Sequence, residues 1–85
     1  MKIFRGVQFL QIIYSKKAVK FLRKQTKETQ KRITDAISRI PSGDIKKLQG
    51  MNGYRLRVGS YRIIFNSDGT IIDIIDIDNR GQIYK

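Results

Sequence analysis

The sequence predicts an α+β domain of order β-α-α-β-β-β, with an antiparallel sheet covered on one face by a helical hairpin. Three observations predict it. Apolar residues recur at helical spacing between Ser15 and Ile40. Runs that alternate like strands, separated by glycine-bearing turns, fill the stretch from Tyr54 to Asp78. The only proline, Pro41, opens a Ser42-Gly43-Asp44 turn cluster that divides the two halves. With 85 residues and no repeat, linker or low-complexity segment, the chain is expected to form one domain over 1–85.

The elements follow in order. Phe9 to Tyr14 is rich in β-branched and aromatic residues and predicts a first strand, joining the edge or the centre of the sheet. Ser15 offers a hydroxyl to cap a helix in which Ala18, Phe21, Leu22 and Gln25 share a face. Thr26 caps a second helix, whose Ile33, Ala36, Ile37 and Ile40 recur at i, i+3, i+4 and i+7. Tyr54 to Val58 alternates strictly: Tyr54, Leu56 and Val58 on one face, Arg55 and Arg57 on the other. Gly59-Ser60 is a two-residue hairpin turn, leading into a strand from Tyr61 to Asn66. After Ser67-Asp68-Gly69, Thr70 to Asp78 carries isoleucines on both faces and predicts a central strand covered on both sides. The tail from Asn79 to Lys85 leaves the sheet. Tyr54 and Tyr61 fall on the apolar face as core residues.

Composition narrows the chemistry. Without cysteine there are no disulfides, thiolate metal sites or cysteine nucleophiles. Without histidine, the usual general base near neutral pH and the commonest metal ligand are both missing. Chemistry must then rest on Arg, Lys, Tyr, carboxylates or hydroxyls. The formal charge of +11 attracts polyanions over long range. The best apolar stretch, Val7 to Tyr14, is short and interrupted by Gln8 and Gln11, so neither a membrane span nor a signal-peptide core is expected, and the protein is read as cytoplasmic. Residues 1–50 hold 13 basic and 3 acidic side chains, residues 51–85 only 5 and 4.

The sparse charges of the second half carry the sharpest signal. A two-residue loop pairs Val58 with Tyr61, Arg57 with Arg62 and Leu56 with Ile63. Paired residues point to the same face, so Arg55, Arg57 and Arg62 converge on one patch. Directly opposed like charges destabilise a strand pair unless an anion neutralises them. Guanidiniums suit a phosphate: they donate in a planar fork and stay charged at any working pH. They also suit a transition state that gathers negative charge on phosphoryl oxygens. Arg80, and Tyr84 four residues further on, are candidates to return to the patch, the tyrosine to stack on a base or orient a proton. The plainer reading of each single arginine is a solvated strand face. The cations Lys16, Lys17, Lys20, Arg23, Lys24, Lys27, Lys31, Arg32, Lys46 and Lys47 are either a solvated face or an RNA- or ribosome-binding footprint. Asp73 is expected opposite Asp76 and Asp78, which makes these carboxylates ion-pair partners of the arginines rather than a metal site. No metal or cofactor is expected.

The same residues carry a family resemblance. Lys47-Leu48-Gln49-Gly50, followed by Gly53 to Phe65, resembles the central signature of RelE/ParE-superfamily toxins, and Asp78 to Tyr84 resembles their C-terminal motif. Ile13 to Leu22 is similar to the family's first strand and helix start. The resemblance implies a RelE-like toxin of a toxin–antitoxin pair that enters the ribosomal A site and cuts mRNA without a metal. The 2′-hydroxyl attacks the adjacent phosphate and leaves a 2′,3′-cyclic end. By position, Arg55 and Arg57 fall where the family places basic residues near the 2′-hydroxyl and the phosphate. Arg62 falls where an arginine steadies phosphoryl charge. Arg80 matches the arginine assigned to leaving-group protonation or charge stabilisation, and Tyr84 matches the C-terminal tyrosine that stacks on or orients substrate.

Two positions depart from the pattern. Well-studied relatives carry lysines at Arg55 and Arg57, and arginine does not lose its proton, so electrostatic roles are assigned to both. The 2′-hydroxyl proton is left to Tyr84, a water or ribosomal RNA. Many relatives also carry a histidine where this chain has Asn79. The partners implied are a cognate antitoxin, acidic along the segment that wraps the toxin, in a hetero-oligomer, together with the ribosome and mRNA. Two other functions remain open at this point: a ParE-like inhibitor of DNA gyrase, and a non-catalytic basic module that binds RNA or ribosomes.

Overall fold

The computed structural model describes residues 11–50, 52–68 and 70–79. Its elements are β1 (Gln11–Tyr14), α1 (Lys16–Arg23), α2 (Lys27–Ser38), β2 (Asp44–Lys47), β3 (Tyr54–Val58), β4 (Tyr61–Ser67) and β5 (Ile71–Asn79). Phe9 and Leu10, the expected start of the first strand, lie outside the described residues.

Both helices begin where a hydroxyl is available. Ser15 Oγ accepts the Ala18 N–H at 3.0 Å, and Thr26 Oγ1 accepts the Thr29 N–H at 3.1 Å. Each satisfies a donor that the first helical turn leaves without a partner. The apolar stripes then face the sheet. Ala18, Ile33, Ile37 and Ile40 meet Leu56, Ile63, Phe65, Ile72, Ile74 and Ile77 in one core. Tyr54 and Tyr61 pack against it as expected. Tyr54 stacks on Phe65 at 5.5 Å, and Tyr61 meets Phe21 edge-on at 6.0 Å.

The sheet runs β1-β5-β4-β3-β2. Its meander β3–β4–β5 is antiparallel, with the register Val58↔Tyr61, Arg57↔Arg62 and Leu56↔Ile63 that the Gly59-Ser60 turn predicts. Gly59 takes φ +60°, a conformation the tight turn requires and a side chain disfavours. β1 takes the edge option and pairs parallel to β5. The sheet also gains a strand the sequence did not announce. β2 reads Asp-Ile-Lys-Lys, with only Ile45 packed on the core, and its charges suit an open edge.

β5 corrects two expectations. It is not covered on both sides: Ile72, Ile74 and Ile77 are buried, whereas Asp73 is exposed and Ile75 is 41% exposed. The helices pack on one face only, and isoleucines of both parities reach it because of a bulge. Ile64 pairs with Asp76 but Phe65 with Ile74, so Ile75 is an extra residue on β5. One extra residue reverses the alternation beyond it. Ile77 therefore rejoins the core face, and Asp76 and Asp78 join Asp73 on the open face rather than opposing it.

Ser15 also anchors the bulged strand. Its N–H donates to the Ile74 carbonyl at 2.9 Å and its hydroxyl to the Ile75 carbonyl at 2.7 Å. Ser15→Ala removes a helix cap and a tie to β5 together, and is expected to cost about 1–2 kcal/mol in urea unfolding. Ser15→Asp keeps the capping acceptor and loses only the tie, so a smaller loss is expected. Among the described residues, no helix is long and apolar enough to cross a membrane.

Candidate active site on the open sheet face

Strand pairing arranges the open face in rows. Across β2, β3, β4 and β5 one row reads Asp44, Arg57, Arg62, Asp78. The next reads Lys46, Arg55, Ile64, Asp76. The expected convergence of Arg55, Arg57 and Arg62 is present, with Arg57 and Arg62 directly opposed. Ile64 provides an apolar floor between Arg55 and Asp76, at 9% exposure and outside the main core.

The anion that an opposed arginine pair requires is supplied in part by the sheet itself, with carboxylates from both flanks. Arg62 Nη2 donates to Asp78 Oδ2 at 2.9 Å, and Arg55 Nη2 donates to Asp44 Oδ1 at 3.3 Å. Arg57 is exposed and makes no ion pair with any described residue. The carboxylate directly opposite it, Asp44, turns diagonally to Arg55. Both pairs are incomplete forks. Arg55 Nε, Arg62 Nε and Asp78 Oδ1 are buried with no hydrogen-bond partner. In protein interiors such atoms are ordinarily satisfied, so the patch retains unused donors.

Arg80 and Tyr84 lie outside the described residues. Asn79 pairs with Tyr61, which turns its side chain toward the helix-covered face, away from the arginines. The cations expected to bind RNA or the ribosome divide between the two faces. Lys46 stands beside Arg55 on the open face, whereas Lys47 pairs with Tyr54 and points to the other side. Lys16, Lys20 and Arg23 line a groove of about 420 Å³ with Tyr14 and Val19. Burial raises the pKa of the Tyr14 hydroxyl above its usual value. Lys31 pairs with Asp35 at 2.9 Å, and the Arg32 guanidinium lies against Gly59. Lys24 and Lys27 flank the link between the helices. Only Lys17 reaches a carboxylate of β5, Asp76, at 3.5 Å.

Asp78 is thus an ion-pair partner of an arginine, as expected, whereas Asp76 pairs with Lys17 instead. No group of three ligating side chains close enough to hold a metal occurs among the described residues. The site residues that sequence reasoning missed are Asp44 and Ile64. Nothing local marked Asp44, which reaches Arg55 only because β2 forms.

The chain matches the family model for the ParE toxin of the type II toxin–antitoxin system parDE over residues 12–84. Among solved structures, it is 34% identical to a chain of the RelB–RelE antitoxin–toxin complex from Methanococcus jannaschii, covering 85% of this chain and 94% of that one, with a TM-score of 0.68. Similarity to the RelE–RelB complex from Pyrococcus horikoshii OT3 is 28% identity over 88% and 99% of the chains, with a TM-score of 0.67. The RelBE2 complex from Mycobacterium tuberculosis shares the fold at 22% identity, covering 82% and 96%, with a TM-score of 0.70. No curated protein sequence matches significantly. The family match over most of the chain, the helical hairpin on the expected meander and the agreement with solved toxin complexes together show that the chain belongs to the RelE/ParE-like superfamily of toxins of type II toxin–antitoxin systems.

Proposed function

We propose that this toxin is a ribosome-dependent mRNA endoribonuclease, and the opposed pair Arg57 and Arg62 is the observation that carries the reading. In the proposed reaction a 2′-hydroxyl oxygen bonds to the adjacent phosphorus and the bond to the 5′-oxygen breaks. The 2′-hydroxyl proton leaves to a base, a proton is delivered to the 5′-oxygen, and a 2′,3′-cyclic phosphate remains. Arg57 and Arg62 stabilise charge on the phosphoryl oxygens, with Arg55 beside them. Arg80 serves the leaving group and Tyr84 stacks on or orients the substrate. The proton acceptor is Tyr84, a water or ribosomal RNA. No metal or cofactor takes part in this scheme. It places the protein in the cytoplasm with the ribosome, and with a cognate antitoxin as in the RelB–RelE complexes of its relatives.

The matched family model, that of the ParE toxin, favours a second reading, inhibition of DNA gyrase. Purified protein tested in parallel separates the two. The first reading expects new 5′ ends within mRNA by primer extension in a reconstituted translation reaction, and unimpaired supercoiling by gyrase. Loss of supercoiling with intact mRNA establishes the second. Ribosome binding without new ends leaves only a non-catalytic basic module.

A further inference from the structure

The Arg62–Asp78 pair differs from an ordinary surface ion pair in two ways. It forms one flank of the proposed phosphate site, with side-chain exposures of 29% and 25%, so solvent screens it less than a fully exposed pair. It is also only half formed: Nη2 meets Oδ2, while Arg62 Nε and Asp78 Oδ1 go unmatched. A guanidinium held by one contact can turn its fork to a better acceptor, and a phosphate is such an acceptor. Asp44 holds Arg55 in the same half-formed way, at 3.3 Å and with Asp44 57% exposed.

We infer that Asp78, and to a smaller degree Asp44, determines which RNA the arginine row accepts, by occupying the anion position that a backbone phosphate must take. The inference rests on the reading of this row as an RNA site. Of the three guanidiniums, only Arg57 is available without exchange. A phosphate reaching Arg62 displaces Asp78 and then lies beside a carboxylate that has lost its counter-charge. Free single-stranded RNA, with no other contacts to support the exchange, binds weakly. RNA held in place by a larger assembly has its positioning energy supplied elsewhere, and completes the exchange. The two carboxylates thus act as a filter against loose RNA, set by charge rather than by base sequence.

The test is a fluorescence-anisotropy titration of the full chain with a labelled, fully 2′-O-methylated RNA oligonucleotide, which cannot be cleaved, over a range of salt concentrations. Asp78→Asn preserves shape and an acceptor but removes the charge. It is expected to tighten binding about fivefold. The dependence of log affinity on log salt should steepen by about 0.7, the increment for one further phosphate neutralised on a single strand. Asp44→Asn should act in the same direction by less than about twofold, because its pair is longer and its carboxylate more exposed. On an open edge strand, it reads the same effect independently of any folding defect in the first variant. Asp68→Asn, at the opposite end of the β4–β5 hairpin, makes the same change in net charge and should leave the affinity unchanged. If Asp78→Asn and Asp44→Asn behave like Asp68→Asn while Arg57→Ala weakens binding, the filter is refuted and the RNA site stands. If Arg57→Ala also binds like the unaltered chain, the RNA site itself is wrong, and the filter falls with it.

Discussion

Arg57→Ala is expected to slow mRNA cleavage by about 10²–10³-fold while leaving thermal unfolding nearly unchanged. The magnitude is that of removing one preorganised donor from a developing oxyanion. The structure makes this variant the cleanest probe of the site. Arg57 is exposed and pairs with no described carboxylate, so its removal strands no partner. It even relieves the repulsion from Arg62 directly opposite. Arg62→Ala should lose comparable activity but also destabilise the fold, because Asp78, at 25% exposure, is left with an uncompensated charge. Single-turnover primer extension on programmed ribosomes gives the rate, and a circular-dichroism melt gives the stability. Full-speed cleavage by the folded Arg57→Ala protein would remove the arginine row from the mechanism.

Ile63→Ala is expected to be the most damaging single truncation of the sheet, costing about 2–5 kcal/mol. Ile63 has no solvent exposure and sits on the middle strand, between Leu56 on β3 and Ile77 on β5. Both neighbours are also nearly inaccessible, so the cavity has little room to collapse. Domains of this size have total stabilities of about 4–13 kcal/mol, so the loss is a large share of the whole. The melting temperature should fall by at least about 10 °C. Ile64 supplies the internal comparison. It is almost as buried, at 9%, but lies on the open face outside the main core. Ile64→Ala should therefore cost less stability than Ile63→Ala, and its effect should show in RNA cleavage, because it forms the floor of the arginine patch. Equal losses of stability would mean that the open face carries a second core.

The candidate site was half legible in the sequence. The Arg57↔Arg62 pairing could be read because a two-residue turn sets the register between neighbouring strands, and nothing distant intervenes. Of the carboxylates that neutralise the row, Asp78 could be read as an ion-pair partner, but Asp44 could not. Asp44 meets Arg57 and Arg55 across a connection closed by the Leu48 N–H donating to the Gly53 carbonyl, where Gly53 takes φ +138°. A four-residue strand with one apolar position leaves no periodic trace. The position of Asp78 was concealed differently. Strict alternation puts it opposite Asp73, and only the bulge at Ile75 brings the two to the same face.

The sequence by itself determined the order of the major elements, both helix caps, the meander, the core positions of Tyr54 and Tyr61, and the facing arginines. These depend on contacts between near neighbours, whose geometry the local pattern of apolar, capping and turn residues already dictates. Tertiary structure alone decided the β2 edge, the parallel docking of β1 on β5, the phase of β5 beyond its bulge and the pairing of Arg55 with Asp44. Each of these depends on a distant strand, or on one residue of register, and a single extra residue is enough to turn a side chain from one face of a sheet to the other.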